Sequence, residues 1–378
     1  MATGANHHAE RDEYNQSLPD STQKITTSPR ANEESIMNIL VLNPLGLHLG
    51  YLGCYGNDWI ATPNLDRIAA EGATFDRHFV ETPEAPGREG EAPAEPAACD
   101  NSPNVRMITA SRLGTRLALP KSDWPDGIAW INGPNLGPPW NLPDDLLTLY
   151  TEDDEVEPCT DPDAESASEP DFLLRVQDTY AAAVTCFDAQ VGRLLDEIDA
   201  LKLAEKLLLI VTSGASLPLG EHGVIGWKDL GPHEELVHVP LLMRGPGVPA
   251  GTRIAAITQR ADLLATLSKI VGQAASLPES IRERPHPTSW LASRKLAACA
   301  TETGFDLWPL LKGEVDAVRP HAVSRTTNGE VALRTLDWAL FRSATASRLY
   351  VKPDDRWEVS DVASQHRELV EALEAAAT

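Results

Sequence analysis

A mainly parallel β-sheet with helices on both faces, an α/β fold, is predicted for this 378-residue sequence, with a small α+β subdomain at its C-terminal end. Three observations lead there. Short unbroken apolar runs, NILVLN at 38–43 and KLLLIVTSG at 206–214, suit strands covered on both faces, because no position is left for an alternating polar side chain. Helical spacing of apolar residues separates such runs, and strands alternating with helices imply parallel neighbours joined by crossovers. Beyond residue 330 the pattern changes to short alternating stretches, as in a small antiparallel sheet.

Taken in order, residues 1–36 have no apolar run of the kind a secretory signal needs and read as a disordered tail, with His7 and His8 a solvated pair. The α/β domain is expected over 37–272. Its first strand, 38–43, leads to a helix in TPNLDRIAAEG, where Thr62 is the N-cap, Pro63 takes the first helical position, Leu65, Ile68 and Ala69 share a face, and Gly72 is the stop. The Pro- and Ala-rich stretch 87–120 breaks the pattern and reads as an inserted loop. The stretch 144–171, rich in Asp and Glu and without Lys or Arg, reads as a disordered loop. A long helix over 171–202 repeats Tyr180, Val184, Phe187, Val191, Leu194, Leu195 and Ile198 at helical spacing. It runs into the strand at 206–214. VPLLMRGPG (239–247) is a third strand, and ADLLATLSKIVG (261–272) a further helix. Residues 273–304 read as a linker or insertion. The C-terminal subdomain, 305–378, has strands within 330–351, a hairpin turn at Asn328-Gly329 and an amphipathic closing helix at 361–376.

Composition bounds the function. A net charge of −24 argues against nucleic acid or an anionic membrane as partner, since both need a basic footprint. The five cysteines, odd in number and without a C-x-x-C, indicate neither a cysteine zinc site nor a disulfide framework, so a reducing, cytoplasmic setting is expected.

GYLGCYGN…TPNLDRIAAEG, DTYAAAVTCFDAQVGRLLDEIDALKL, LGEHG, HEELVHVPLLMRGPGVPAG and ALRTLDWALF…RLY occur in an order that resembles the sulfatase family of the alkaline phosphatase superfamily, across most of 38–351. The resemblance implies the alkaline-phosphatase/sulfatase-like fold. It also implies a divalent cation such as Ca²⁺, held in the family by two adjacent aspartates after the first strand and by the Asp and His of T-S-D-H-G-E after a later one. Here those positions carry Leu45 and Gly46, then Gly214 and Ala215 in TSGASL. The family nucleophile, a Cys or Ser oxidised to formylglycine, aligns with Ala85, and its partner Arg with Glu89, or with Arg88 after a slip of one. No histidine lies between His78 and His222 to fill the family's middle-segment role.

What remains is Glu221 and His222 of LGEHG, then Lys228, His233, Glu234 and Glu235. Lys228 is one residue out of register with the family's sulfate-binding lysine. His222 is either a general acid or, as favoured here, a loop histidine bonded to backbone. His233 belongs either to a two-acid metal site or, as favoured, to a helix-initiating turn. His48 is a ligand only if another donor approaches, and Ser213 and Ser216 are the nearest hydroxyls.

A hard cation wants six to eight oxygens with carboxylate charge, which Leu, Gly, Gly and Ala do not supply. No metal site or cofactor is therefore expected. The sequence reads as a catalytically inactive or severely impaired homologue of sulfuric ester hydrolases with a binding or regulatory role. The alternative is an active arylsulfatase-like hydrolase or phosphoesterase using non-standard residues. Partners expected are an intact sulfatase homologue or a small anionic ligand.

Overall fold

The computed structural model describes residues 38–84, 105–109, 117, 119, 127–151, 158–162, 169–227, 231–275 and 304–377. The expectations for 1–36, for Ala85, Arg88, Glu89 and Lys228, and for most of 273–304 lie outside these residues.

Seven strands form the main sheet: β1 (Asn38–Leu45), β2 (Ala73–Phe79), β3 (Val105–Thr109), β4 (Ile128–Asn135), β5 (Leu207–Val211), β6 (Leu241–Arg244) and β7 (Thr252–Gln259). Their order is β3-β4-β1-β5-β6-β2-β7, and only the ladders made by β6 are antiparallel. β1 lies between β4 and β5, with Val41 opposite Trp130 and Ile210. Its unbroken apolar run is explained by the two faces it serves. Leu40 and Leu42 pack with α1 (Pro63–Ala70) and α3 (Pro170–Ala200), the latter contributing Tyr180, Val184, Phe187 and Val191. Ile39 and Val41 pack on the other face, with Leu263 and Leu267 of α5 (Arg260–Ala275). Two smaller helices, α2 (Asp144–Leu147) and α4 (Glu234–Val237), sit in the connections.

The C-terminal sheet is antiparallel, in the order β11-β10-β9-β8, from β8 (Ala322–Arg325), β9 (Val331–Arg334), β10 (Trp338–Arg342) and β11 (Ser347–Val351). Gly329, at φ +89°, turns β8 into β9. The turn α6 (Trp308–Leu311) precedes this sheet and α7 (Arg367–Ala376) closes the chain.

Four local expectations are corrected. The stretch 87–120 is more than an inserted loop: β3 pairs with β4 from Val105↔Ile128 to Thr109↔Asn132, and Leu117 and Leu119 are buried in the core. Loop 144–171 begins with α2, whose Leu147 is buried, because one apolar side chain with a core to enter outweighs its acidic neighbours. Thr62 is the N-cap residue of α1, its carbonyl accepting from Asp66 N at 2.9 Å, but its side chain does not cap: Oγ1 accepts from Gly53 N at 2.9 Å and lies 3.3 Å from Asp66 Oδ1. Gly72 serves close approach more than a helix stop, since a Cβ there would strike the carbonyl oxygen of Met243.

Candidate functional site

In a sheet of this kind ligands collect beyond the carboxyl ends of the strands. At the ends of β1 and β5, Gly46 N donates to the carbonyl of Ala215 at 2.9 Å. Leu45 and Ala215 are buried in one apolar cluster with Phe79, Val80, Val237 and Val239. Gly46 has φ +85°, and a Cβ on it would meet the Trp227 ring at 3.1 Å. A Cβ on Gly137 would collide with the same indole. At Gly214 the space for a side chain is taken by the Glu84 carboxylate, which Arg260 neutralises at 2.5 Å while donating a second bond to the Gly214 carbonyl at 2.6 Å.

Beside these tips lies a dense histidine–carboxylate cluster. His222, on a tight turn at φ +53°, places Nδ1 2.5 Å from Oε1 of Glu235 in the first turn of α4. Its ring stacks on His233, with centroids 4.0 Å apart and planes at 26°, and His233 stacks in turn on Phe341 at 4.5 Å. His233 Nδ1 lies 2.9 Å from Oε2 of Glu358. Glu358 also meets Arg334 at 3.0 Å and Lys352 at 3.2 Å. Glu235, accepting a hydrogen bond from the His222 ring, raises the pKa of His222 against the opposing pull of burial. Burial alone would push the Glu358 carboxyl up, but Arg334, His233 and Lys352 outweigh it and hold it well below the usual carboxylate range.

A groove of about 370 Å³ opens next to this cluster, between the main sheet and the C-terminal one. Five cationic side chains line it, Arg77, Arg253, Arg334, Lys352 and Arg356, against the carboxylates of Asp76 and Glu234. Arg253 pairs with Asp76 and Lys352 with Glu234. Among the described residues no carboxylate pairs with Arg77 or Arg356 within 4.0 Å. Arg334 is buried between the rings of Phe79 and Phe341, at 5.6 and 5.1 Å.

Residues 138–273 match the sulfatase family model. Human iduronate 2-sulfatase is 39% identical over 77 residues, which are 20% of this chain and 14% of that protein. The N-acetylglucosamine-6-O-sulfatase of Bacteroides thetaiotaomicron is 28% identical over 199 residues, 50% of this chain and 30% of that one. The fold agrees over far more of the chain. A phosphonate monoester hydrolase of Agrobacterium radiobacter superposes with a TM-score of 0.62 at 17% identity, over 90% of this chain and 94% of its own. A structure solved with its substrate D-glucosamine-2-N,6-O-disulfate does so with a TM-score of 0.59 at 16% identity, over 90% and 97%. The chain resembles the sulfatases in sequence over residues 138–273 and in fold over most of its length. The segments it shares with these curated sulfatases span less than a third of their lengths.

Sulfatases usually use a divalent cation, and the residues at the matching positions here do not fit one. Leu45 and Ala215 are packed against apolar side chains, Trp227 covers Gly46, and the one carboxylate at Gly214, that of Glu84, is already paired with Arg260. Six to eight oxygens cannot be assembled around a hard ion there. Ser213 is buried, with Oγ 2.8 and 2.6 Å from the carbonyls of Pro44 and Ala215, so its hydroxyl ties the strand tips together. Ser216 is buried as well. His48 Nδ1 accepts from Gly50 N at 3.0 Å and Nε2 faces Glu221 at 3.7 Å, while burial lowers its pKa.

His222 pairs with a carboxylate, brought within reach by the α4 turn, and a backbone hydrogen bond at Glu358 is a further cause of its raised pKa. His233 does occupy the position before α4, as expected, yet it also belongs to the cluster. Sequence reasoning missed Arg334, Lys352 and Glu358, all from the C-terminal sheet and the segment after it. Glu358 is 125 residues from the histidine it binds, and no local pattern marks such a pair.

Proposed function

We propose that this sulfatase-like chain binds a small anion in the cationic groove and does not hydrolyse sulfate esters by the family's route. One observation carries the second half: Leu45 and Ala215, at positions where the family holds its cation, share a buried apolar cluster. Without that ion nothing lowers the pKa of a nucleophile or offsets the charge of a sulfate, and loss of a nucleophile alone costs on the order of 10⁶ in turnover. Five cationic side chains line the groove, three of them paired with Asp76, Glu234 or Glu358, and the other two, Arg77 and Arg356, support the first half as the side chains least committed elsewhere. The free thiols of Cys54, Cys159 and Cys186 suit a reducing, cytoplasmic setting, and no helix among the described residues is long and apolar enough to cross a membrane.

The short His222–Glu235 contact favours a second reading, a hydrolase in which this pair moves a proton. Aryl sulfate and aryl phosphate turnover separates the two. The expected result is no turnover above that of His222→Ala, whereas turnover abolished by that substitution overturns the non-hydrolytic reading. For the anion, thermal unfolding in sodium sulfate against sodium chloride at equal ionic strength is expected to give a saturable stabilisation, lost in Arg77→Ala with Arg356→Ala. Identical responses to the two salts rule the groove out.

A further inference from the structure

We infer that His222, His233 and Glu235 form a binding site for one divalent transition-metal ion of the zinc class. None of these residues stands at the strand-tip positions that correspond to the family's cation, and the inference holds whether or not the groove binds anions.

The donor set comes first. Two imidazoles and one carboxylate offer ligand atoms that all lie within 4.8 Å of one another. Ligands bound tetrahedrally at about 2.0–2.2 Å from an ion stand about 3.4 Å apart, so side-chain rotation of roughly an ångström closes the set. The His222–Glu235 contact at 2.5 Å must open by a similar amount. The proton that the pair shares leaves to solvent as the ion takes its place. His222 is the partly exposed member, with 23% of its side chain accessible against 2% for Glu235, so the ion has a path inward and the first side chain to move is the free one.

The outer shell is what distinguishes this cluster from an ordinary ion pair. A metal-ligating histidine almost always donates its second ring N–H to a carboxylate or carbonyl, which fixes the tautomer and aims the other nitrogen. His233 has that arrangement: Nδ1 is 2.9 Å from Glu358, leaving Nε2 as the donor for a metal. Glu358 is itself held by Arg334 and Lys352 and is fully buried, so the orientation is fixed before any ion arrives. Phe341 stacked against the His233 ring limits its rotation further. Three protein ligands leave one position for water or an exogenous donor, and two nitrogens among three ligands favour zinc, cobalt or nickel over calcium or magnesium.

Cobalt(II) titration of the full-length chain tests this, with His7→Ala and His8→Ala included throughout to remove the N-terminal histidine pair. The expected result is saturation at one equivalent, visible d–d absorption of an ion with four or five ligands, and displacement by Zn²⁺. His222→Ala and Glu235→Gln should abolish the bands. Glu358→Gln, which changes no ligand, should weaken binding by about 10–100-fold. His222 is partly exposed, so its alanine variant folds and reads the site even where Glu235→Gln does not. Absence of d–d absorption, or bands that survive His222→Ala, overturns the inference. A sulfate titration of the same protein leaves this result untouched, so its failure and that of the anion-binding reading are told apart.

Discussion

The amide of Gly46 donates to the carbonyl of Ala215 at 2.9 Å, a backbone bond that joins the chain just beyond β1 to the chain just beyond β5. In a cation-dependent relative this junction would be made by carboxylates converging on an ion. Clustered carboxylates repel one another when no ion is present, whereas Leu45 and Ala215 gain by burial. Leu45 and Ala215 at these tips are therefore part of the core, with no charge that a ligand must offset.

Restoring one acid should make the cost visible. Leu45→Asp places a carboxylate among Phe79, Val237 and Val239 with no cation among the cluster's members, and an unpaired buried charge costs about 3 kcal/mol or more. Urea unfolding at neutral pH should show a loss of that size. A change under about 1 kcal/mol would mean that the side chain reaches water or finds a partner.

Calcium and magnesium should leave the thermal midpoint where it is, apart from ionic-strength effects. An ion bound only to the native state at a hundred times its dissociation constant adds about 2.7 kcal/mol, which a melt resolves easily. Saturable stabilisation by millimolar Ca²⁺ that persists in high salt would refute the apolar reading of the strand tips.

His78 sets a pH dependence. It is fully buried in β2, with Nδ1 3.0 Å from Oγ1 of Thr258 across the ladder to β7. Burial, then the nearby charges of Arg260, His238 and Arg319, push its pKa down to about 3, against about 6.5 in the unfolded chain. Between those values the unfolded state binds the extra proton, so this contribution is fully present above pH 6.5 and is lost as pH falls toward 3. The slope rises toward about 1.4 kcal/mol per unit below pH 6.5 and amounts to about 1.6 kcal/mol between pH 6.5 and pH 5. His78→Gln, though less stable at pH 7, should lose less stability over that interval. Equal losses in the two proteins would assign the acid sensitivity elsewhere.

Fold class was legible from a few segments that are self-consistent over their own length. β1, α1, α3, β5 and α5 each carry a period or an apolar run that only one element satisfies. β4 and β7 escaped because their local signals conflict with their state. IAWINGPN includes Gly133 and Pro134, turn residues that are accommodated because they lie past the last pair with β3, at Asn132, and within the register shift of the β1 ladder between Asn43 and Leu45. TRIAAITQ carries at its second position Arg253, which is half exposed and paired with Asp76 at the sheet's rim. The placement of Leu45, Gly46, Gly214 and Ala215 at the ends of β1 and β5 could be read directly from the strands before them. The gain of a cluster around His233 could not, since it depends on how the C-terminal sheet lays Glu358, Lys352 and Arg334 against α4.

The last prediction concerns the stretch 105–119, where composition suggested an insertion that the core ignores. Leu117 and Leu119, 2% and 4% exposed, are buried with Leu136, Trp140 and Leu147, and β3 supplies five paired residues at the edge next to β4. A buried leucine truncated to alanine loses its transfer free energy and leaves a cavity, about 2–4 kcal/mol in all. Leu117→Ala and Leu119→Ala should each lower the urea midpoint by that amount with an unchanged slope, and removal of 105–119 should cost more than either, because it also strips β4 of its outer partner. An added loop would show none of this, since loop length alone changes closure entropy by well under 1 kcal/mol. Two leucine variants as stable as the parent would therefore restore the insertion reading and detach this stretch from the fold.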